Sequence, residues 1–420
     1  MPKTRRITQL TPQVLRTEPQ FRLLFTGQLL SVMGDRMMLV ALPFAVLRSG
    51  GGTGAVGVVV AVQLVPFVVF GLIGGALSDR SERRKILIRS DLSRMLVQGC
   101  AAGLLLAGAA TPLLLGVLVV LYGTAEAFFQ PAFTGLLPQT VSHPGQLQPA
   151  NALRGLSFST AAVVGPALAG ALVAGAGPGA AFLFDSASFA ISVACLLRLR
   201  PLVAERATEA APPPLRTALR AGWREVTSRR WLRAGLLAMS AYHALVLPAV
   251  FVLGPVFISR RLGGPGAWAA VAVAFGLGSI AGDLSLLRVR PRRALRVAAI
   301  GLVLASLQAA VYGAGAALSI TCALQFVTAI GVTVFFTLWE VSLQEHIPGE
   351  ALSRVSSWDY LSSAALMPVG AAVAGPLAAA LGARWVLEGM SALGVATALM
   401  FLATPAVRAL PRGSAGAAGS

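Results

Sequence analysis

Two carboxyl groups interrupt apolar sequence where a charge is hardest to hold. Asp35 stands inside a run from about residue 22 to 47, and Glu126 inside one from about 113 to 136. An ionisable side chain at the middle of a bilayer costs about 3 kcal/mol or more, so it normally faces a cavity or a partner. On a helix, Gln28, Ser31, Asp35 and Met38 fall at spacings of three and four and share one face. Tyr122, Glu126 and Gln130 form a second such stripe, with Pro131 breaking the ladder just beyond it. A carboxyl group on a cavity wall can take up a proton on one side of a membrane and release it on the other. Asp35 is therefore expected to couple protons to transport, or else to pair with another helix and hold structure. Arg36 is a poor partner for it, because consecutive residues point apart on a helix. Glu126 is expected to share the proton work, to bind a cationic ligand, or to make an interhelical hydrogen bond.

Other polar residues stand nearer the ends of their runs. Glu340 closes a stripe with Gln325, Ala329 and Phe336, which suits a gate or an interface. Asp185 and Asp359 suit helix caps or interface partners. His243, beside Tyr242, is either a hydrogen-bonded packing residue or a proton relay. The aromatics Phe44, Phe67, Phe128, Phe129, Phe133, Phe336 and Trp339 either line a cavity for a bulky apolar ligand or simply pack. The expected substrate-binding set is Gln28, Ser31, Met38, Tyr122, Gln130, Phe129, Phe133, Tyr242, His243, Phe336 and Trp339. No nucleophile–base pair, metal-ligand cluster or phosphate-binding loop is present, so no catalytic residue, metal or cofactor is expected and the chain does not read as an enzyme. Cys100, Cys195 and Cys322 lie in apolar runs without metal-ligand spacing, and an odd number argues against a disulfide framework. They are expected to be small packing residues.

The elements that position these residues must be membrane helices. The chain has 420 residues, 56% of them hydrophobic and only 12% charged, and its mean hydropathy is +0.76. Such a composition cannot cover a soluble domain with polar surface. Roughly 20 apolar residues span a bilayer as a helix, and only helices and closed barrels satisfy the backbone there. The short alternating segments of a barrel are missing. Twelve spans are expected. The first half holds 22–47, 55–78, 88–109, 113–136, 152–175 and 180–198. The second holds 233–257, 266–287, 296–314, 318–342, 355–380 and 384–403. The corresponding domains are an arm (1–21), a first bundle (22–198), a linker (199–232), a second bundle (233–405) and a disordered tail (406–420). The linker carries Pro212, Pro213 and Pro214, and its Leu215 to Trp231 part suits an amphipathic helix lying on anionic headgroups.

The net charge of +18 follows from topology rather than from nucleic-acid binding, since no aromatic-interleaved basic patch appears. Most Lys and Arg fall on one side of the expected spans: in the arm, from Arg80 to Arg94, at Arg154, in the linker, from Arg288 to Arg296, and in the tail. The positive-inside rule makes that side, with both termini, cytoplasmic. The polar arm and full-length first run do not read as a cleavable leader. Only Lys3 and Lys85 are lysines, which with the Ala and Gly richness points to a GC-rich bacterial genome and hence to a bacterial inner membrane.

The two halves echo each other. Phe70-Gly71-Leu72 matches Phe275-Gly276-Leu277, and Phe128-Phe129 matches Phe335-Phe336. Pro144-Gly145 matches Pro348-Gly349, and Gly165-Pro166 matches Gly375-Pro376, all in the same order at nearly constant separation. Parallel repeats around a midplane cavity are a known transporter plan.

The first short loop reads Gly74-Gly75-Ala76-Leu77-Ser78-Asp79-Arg80-Ser81-Glu82-Arg83-Arg84-Lys85. This resembles the signature between the second and third helices of the major facilitator superfamily. Gly75, Leu77, Asp79, Arg80, Arg83 and Arg84 match, while Glu82 departs where the superfamily prefers Gly. An acidic residue there resembles the branch of macrolide-efflux and enterobactin-export proteins. Gly34-Asp35-Arg36, Phe128-Phe129-Gln130-Pro131-Ala132 and Gln148-Pro149-Ala150-Asn151 fit the same branch. Gly165-Pro166-Ala167-Leu168-Ala169-Gly170 resembles the fifth-helix motif of drug/proton antiporters, with Ala169 replacing a glycine. The resemblance implies an all-α fold of twelve helices in two six-helix halves. It implies that Gly75, Asp79, Arg80, Arg83 and Arg84 latch the halves, and that Gly165, Pro166 and Gly170 form an antiporter-type helix motif. It further implies a monomeric secondary transporter whose partners are a small-molecule substrate, protons and lipid. Proton antiport would export a hydrophobic or amphipathic drug, antibiotic, siderophore or secondary metabolite; uptake by symport is the alternative.

Overall fold

The computed structural model describes residues 13–80, 82–142, 146–200, 215–289, 291–348 and 367–410, with isolated residues between 351 and 366. Side chains are not described at 67–68, 71–80 and a few other positions. The chain is helical throughout these residues. The helices are α1 (Pro19–Arg48), α2 (Thr53–Arg80), α3 (Arg83–Leu106), α4 (Pro112–Leu136), α5 (Leu147–Gly175) and α6 (Pro178–Arg198). Then follow α7 (Leu215–Ser228), α8 (Arg230–Leu262), α9 (Pro265–Arg288), α10 (Ala294–Gly313), α11 (Leu318–His346), α12 (Met367–Leu381) and α13 (Ala383–Ala403). Proline in the first turn starts α1, α4, α6 and α9, where its missing N–H costs nothing. Gly177 holds a φ of 86° in the turn before α6, a conformation that side chains with a Cβ rarely adopt.

Nine helices among the described residues are long and apolar enough to cross a membrane, and Thr53–Pro66 and Met367–Leu381 are shorter apolar segments. α3 is long but too polar to count, because it carries Arg89, Asp91 and Arg94 in its first half. α8 extends beyond the expected span and contains π-helical turns at Tyr242–Val246 and Ala249–Leu253, on either side of Pro248. Such turns absorb backbone groups that a proline would otherwise leave unpaired. α10 is interrupted at Leu307. The amphipathic stretch ends at Ser228; Trp231 opens α8 instead and is buried.

The chain forms two compact units, residues 1–50 with 62–208, and residues 51–61 with 209–420. In the first unit α1 packs on α5 and α6, and α3 packs on α4 and α6. In the second unit α8 packs on α12 and α13, and α10 packs on α11 and α13. The same four pairings therefore recur six spans later. Polarity runs inside out. On α4, Leu113, Val117 and Leu121 are exposed, while Tyr122, Phe129 and Phe133 face inward. An outward stripe of leucine and valine suits hydrocarbon rather than water.

Candidate functional site

The first unit encloses a cavity of about 290 Å3 between α1, α4 and α5. α1 contributes Gln28, Asp35, Arg36 and Met38, α4 contributes Tyr122, Glu126, Phe129, Gln130 and Phe133, and α5 contributes Arg154, Ser157 and Phe158. The two polar stripes read from the sequence thus meet on one wall. Ser31 is buried and stands outside the lining.

Close helix crossings set this geometry. A Cβ on Gly34 would strike the Asp185 carboxylate and the Ser188 hydroxyl of α6. A Cβ on Gly165 would stand 2.7 Å from Arg36 Cβ and 3.0 Å from the Met33 carbonyl. The Gly165-Pro166 stretch therefore seats α5 directly against the turn of α1 that bears Asp35 and Arg36. Gly170 is buried further along the same helix.

Behind Asp35 lies a polar cluster that sequence reasoning missed. The basic run from Arg80 to Arg94, counted to the cytoplasmic side in the sequence, ends in a residue that is buried among helices. Arg94 lies in α3 with 1% of its side chain exposed, 3.8 Å from Asp35, whose own side chain is 25% exposed. Arg94 also pairs with the fully buried Asp91 one turn back on α3. Its guanidinium lies 4.2 Å from the Phe129 ring centre and 4.4 Å from that of Phe189. Desolvated cation–π contacts of this kind contribute about 2 kcal/mol each. Ser192 donates to the second Asp91 oxygen at 2.6 Å. Tyr122 donates its hydroxyl proton to Asp35. Gln98 donates to Asp185 at 2.5 Å, so Asp185 joins α3 to α6 as an interface partner.

Asp91, Arg94 and Gln98 fall at spacings of three and four on one helix face, the signal already used for Asp35. Arg94 is 11 residues beyond the start of α3, roughly 16 Å along the axis. Arg154, assigned to the cytoplasmic side by its charge, lines the cavity as well.

The remaining expected residues lie elsewhere. In the second unit Tyr242 donates to Gln308 at 2.8 Å, and His243 Nδ1 stands 2.9 Å from the Met239 carbonyl. Phe336 packs edge-on to both rings. Trp339 is buried over Gly235 and donates its indole N–H to Asp359 at 2.8 Å. These four belong to the second unit and do not line the cavity of the first. Gly75, Asp79 and Arg80 belong to α2, with side chains outside the described residues. Arg84 donates to the Leu196 and Leu197 carbonyls at 2.8 and 2.6 Å and so caps the end of α6 within its own unit. Cys100 is exposed on α3 rather than packed, while Cys195 and Cys322 are half-buried.

Residues 8–415 match a protein family described as transmembrane secretion effector. The chain is 26% identical over 412 residues to the multidrug efflux pump Tap of Mycobacterium tuberculosis, covering 93% of this chain and 94% of that protein. It is 26% identical over 388 residues to the enterobactin exporter EntS of Citrobacter koseri, covering 88% of each. The solved structure of the nucleoside transporter NupG aligns with a TM-score of 0.71 at 13% identity, over 91% of this chain and 98% of that one. A bacterial homologue of the human lysosomal transporter Spinster aligns with a TM-score of 0.69 at 14% identity, over 95% and 98%. At these identities the structural likeness is one of fold.

Proposed function

Because the chain belongs to the transmembrane secretion effector family of the major facilitator superfamily, and is a multi-pass secondary transporter that exports small molecules, we propose that Asp35 drives that export by proton antiport. The observation that carries this is the asymmetry around Arg94. Its charge is matched by Asp91, which is sealed from the cavity, while Asp35 approaches the same guanidinium from the open side. A buried arginine must keep a counter-ion, because an uncompensated charge costs several kcal/mol. Asp91 serves permanently, so Asp35 is free to gain and lose a proton without stranding Arg94. With Asp35 ionised the three groups sum to one negative charge; with Asp35 protonated they sum to zero. Glu126, on the same wall, is a second proton-binding candidate.

The substrate class is a drug-like or siderophore-like amphiphile, by analogy with the pump and the exporter that this chain resembles over most of its length. Twelve spans in two six-helix halves, bounded as read from the sequence, fit the recurrent helix pairings of the two units. Alternating access by the halves is the working plan for such repeats, with Gly75, Asp79, Arg80, Arg83 and Arg84 as latch. The protein acts as a monomer in a bacterial inner membrane with both termini cytoplasmic.

The test is efflux from a drug-hypersensitive bacterial host, using a panel of labelled antibiotics and dyes with and without a protonophore. Export by the wild type that collapses with the protonophore and with Asp35→Asn is expected. Export that survives both would overturn proton coupling through Asp35.

A further inference from the structure

The cavity of the first unit is lined by hydrogen-bond donors that lack acceptors. Among the described residues, the buried side-chain polar atoms without a partner are Gln28 Nε2, Arg94 Nε and Arg154 Nε. All three are donors, and Gln28 and Arg154 line the cavity. A buried donor left without an acceptor costs about 1–3 kcal/mol, more for a charged group, so such a wall is suited to a ligand that brings acceptors.

The cations are placed to receive them. The Phe158 ring stands between two guanidinium groups, 5.6 Å from that of Arg154 and 6.0 Å from that of Arg36. Arg154 also lies 4.9 Å from the Phe133 ring centre. Among the described residues neither arginine has a carboxylate within ion-pairing distance, whereas Arg94 is already neutralised by Asp91. On α1, Gln28 is seven residues from Asp35, roughly 10 Å along the axis. The orphan donor on α1 is thus separated from the carboxyl groups at Asp35 and Glu126. Phe133 and Phe158 supply flat apolar faces beside the arginines, matching an aromatic body that carries its own anion.

We propose that Arg154, with Gln28, forms a subsite for the anionic group of an acid-bearing aromatic amphiphile: a carboxylate, sulfonate or ionised phenol. This names the substrate class of the export site and rests on the reading of that cavity as the transport site. Arg154 forks onto the anion's oxygens, Gln28 completes their hydrogen bonding, and the ring of the ligand rests on Phe133 and Phe158. A cationic amphiphile of the same size, seated with its charge at this end, leaves the orphan donors unmet and adds a positive charge beside Arg154.

The test uses the purified full-length protein in nanodiscs of zwitterionic phosphatidylcholine, so that no lipid of net negative charge competes with the probes. Equilibrium dialysis compares three probes of matched size: 2-naphthylacetate, 2-naphthylacetamide and (2-naphthylmethyl)trimethylammonium. The acetate is expected to bind at least about tenfold more tightly than the other two, the scale of one charge-assisted hydrogen bond. Arg154→Gln should remove that preference, weakening acetate binding far more than amide binding, and Arg154→Lys should restore part of it. Gln28→Leu provides a second variant should Arg154→Gln fail to fold, with a smaller loss confined to the acetate. Equal binding of all three probes, preference for the ammonium, or an equal loss of all three in Arg154→Gln would overturn the subsite. Efflux of the same probes from cells separates the two claims. Acetate-selective binding without efflux contradicts the transport role of the cavity and leaves the subsite standing. Proton-driven efflux that ignores Arg154 contradicts the subsite and leaves the export mechanism standing.

Discussion

Arg94 is the residue on which the first unit turns. It places a full charge in the middle of a helix bundle, between two aromatic rings and two carboxylates. Removing one member of a buried ion pair typically costs about 3–5 kcal/mol. Arg94→Met should therefore destabilise the purified protein by about that amount in a denaturant titration. Arg94→Met combined with Asp91→Leu should lose less, because only Asp35, which opens on the cavity, is then left without that cation; an additive loss would contradict the pairing. Tyr122→Phe removes one donor from Asp35 without altering the shape of the wall. It should slow proton-driven efflux but not abolish it, whereas Asp35→Asn abolishes it. Asp35 was legible in the sequence because it is the only carboxyl group in a long apolar run, with Arg36 beside it the only other charge between Leu23 and Leu47. Arg94 was not, because it closes a basic run at the start of the expected span 88–109 and so counted only as one more charge on the positive side. The spacing of Asp91, Arg94 and Gln98 on one face is the signal that marks it as an inward residue.

At the scale of elements, the helix limits follow from local signals. Gly177-Pro178 separates α5 from α6 by a positive-φ glycine and a first-turn proline. The expected span 180–198 accordingly matches Pro178–Arg198. What composition cannot show is which helices touch. That information lies in small residues such as Gly34 and Gly165, whose partners are distant in sequence. Gly165→Leu would drive a branched side chain into the backbone of α1 at Met33 and Arg36. Overpacking of this kind costs about 1–3 kcal/mol, and here it also displaces the turn carrying Asp35. The variant should express in the membrane yet show reduced efflux, while Gly155→Leu, at an open position on the same helix, should behave as wild type. Equal behaviour of the two would argue against a seating role for Gly165. The π turns beside Pro248 were not legible either, because an extra residue per turn leaves hydropathy unchanged.

For the whole molecule, we propose from the charge pattern an even number of spans with both ends inside the cell. A green fluorescent protein fused after Ser420 should fluoresce, and alkaline phosphatase at the same site should stay inactive; the reverse would place the C-terminus outside. The likeness to known exporters over most of the chain gives the direction of transport, and the cavity of the first unit gives a place for its chemistry. The claim joining the two is that one carboxyl group couples uphill movement to the proton gradient. It is tested most directly in proteoliposomes with an imposed pH gradient, using a compound identified by the efflux panel. The wild type is expected to concentrate the compound against its gradient. Asp35→Asn is expected to retain exchange of labelled for unlabelled compound at equilibrium but to lose all concentrating power. Uphill transport by Asp35→Asn at the wild-type rate would contradict the account.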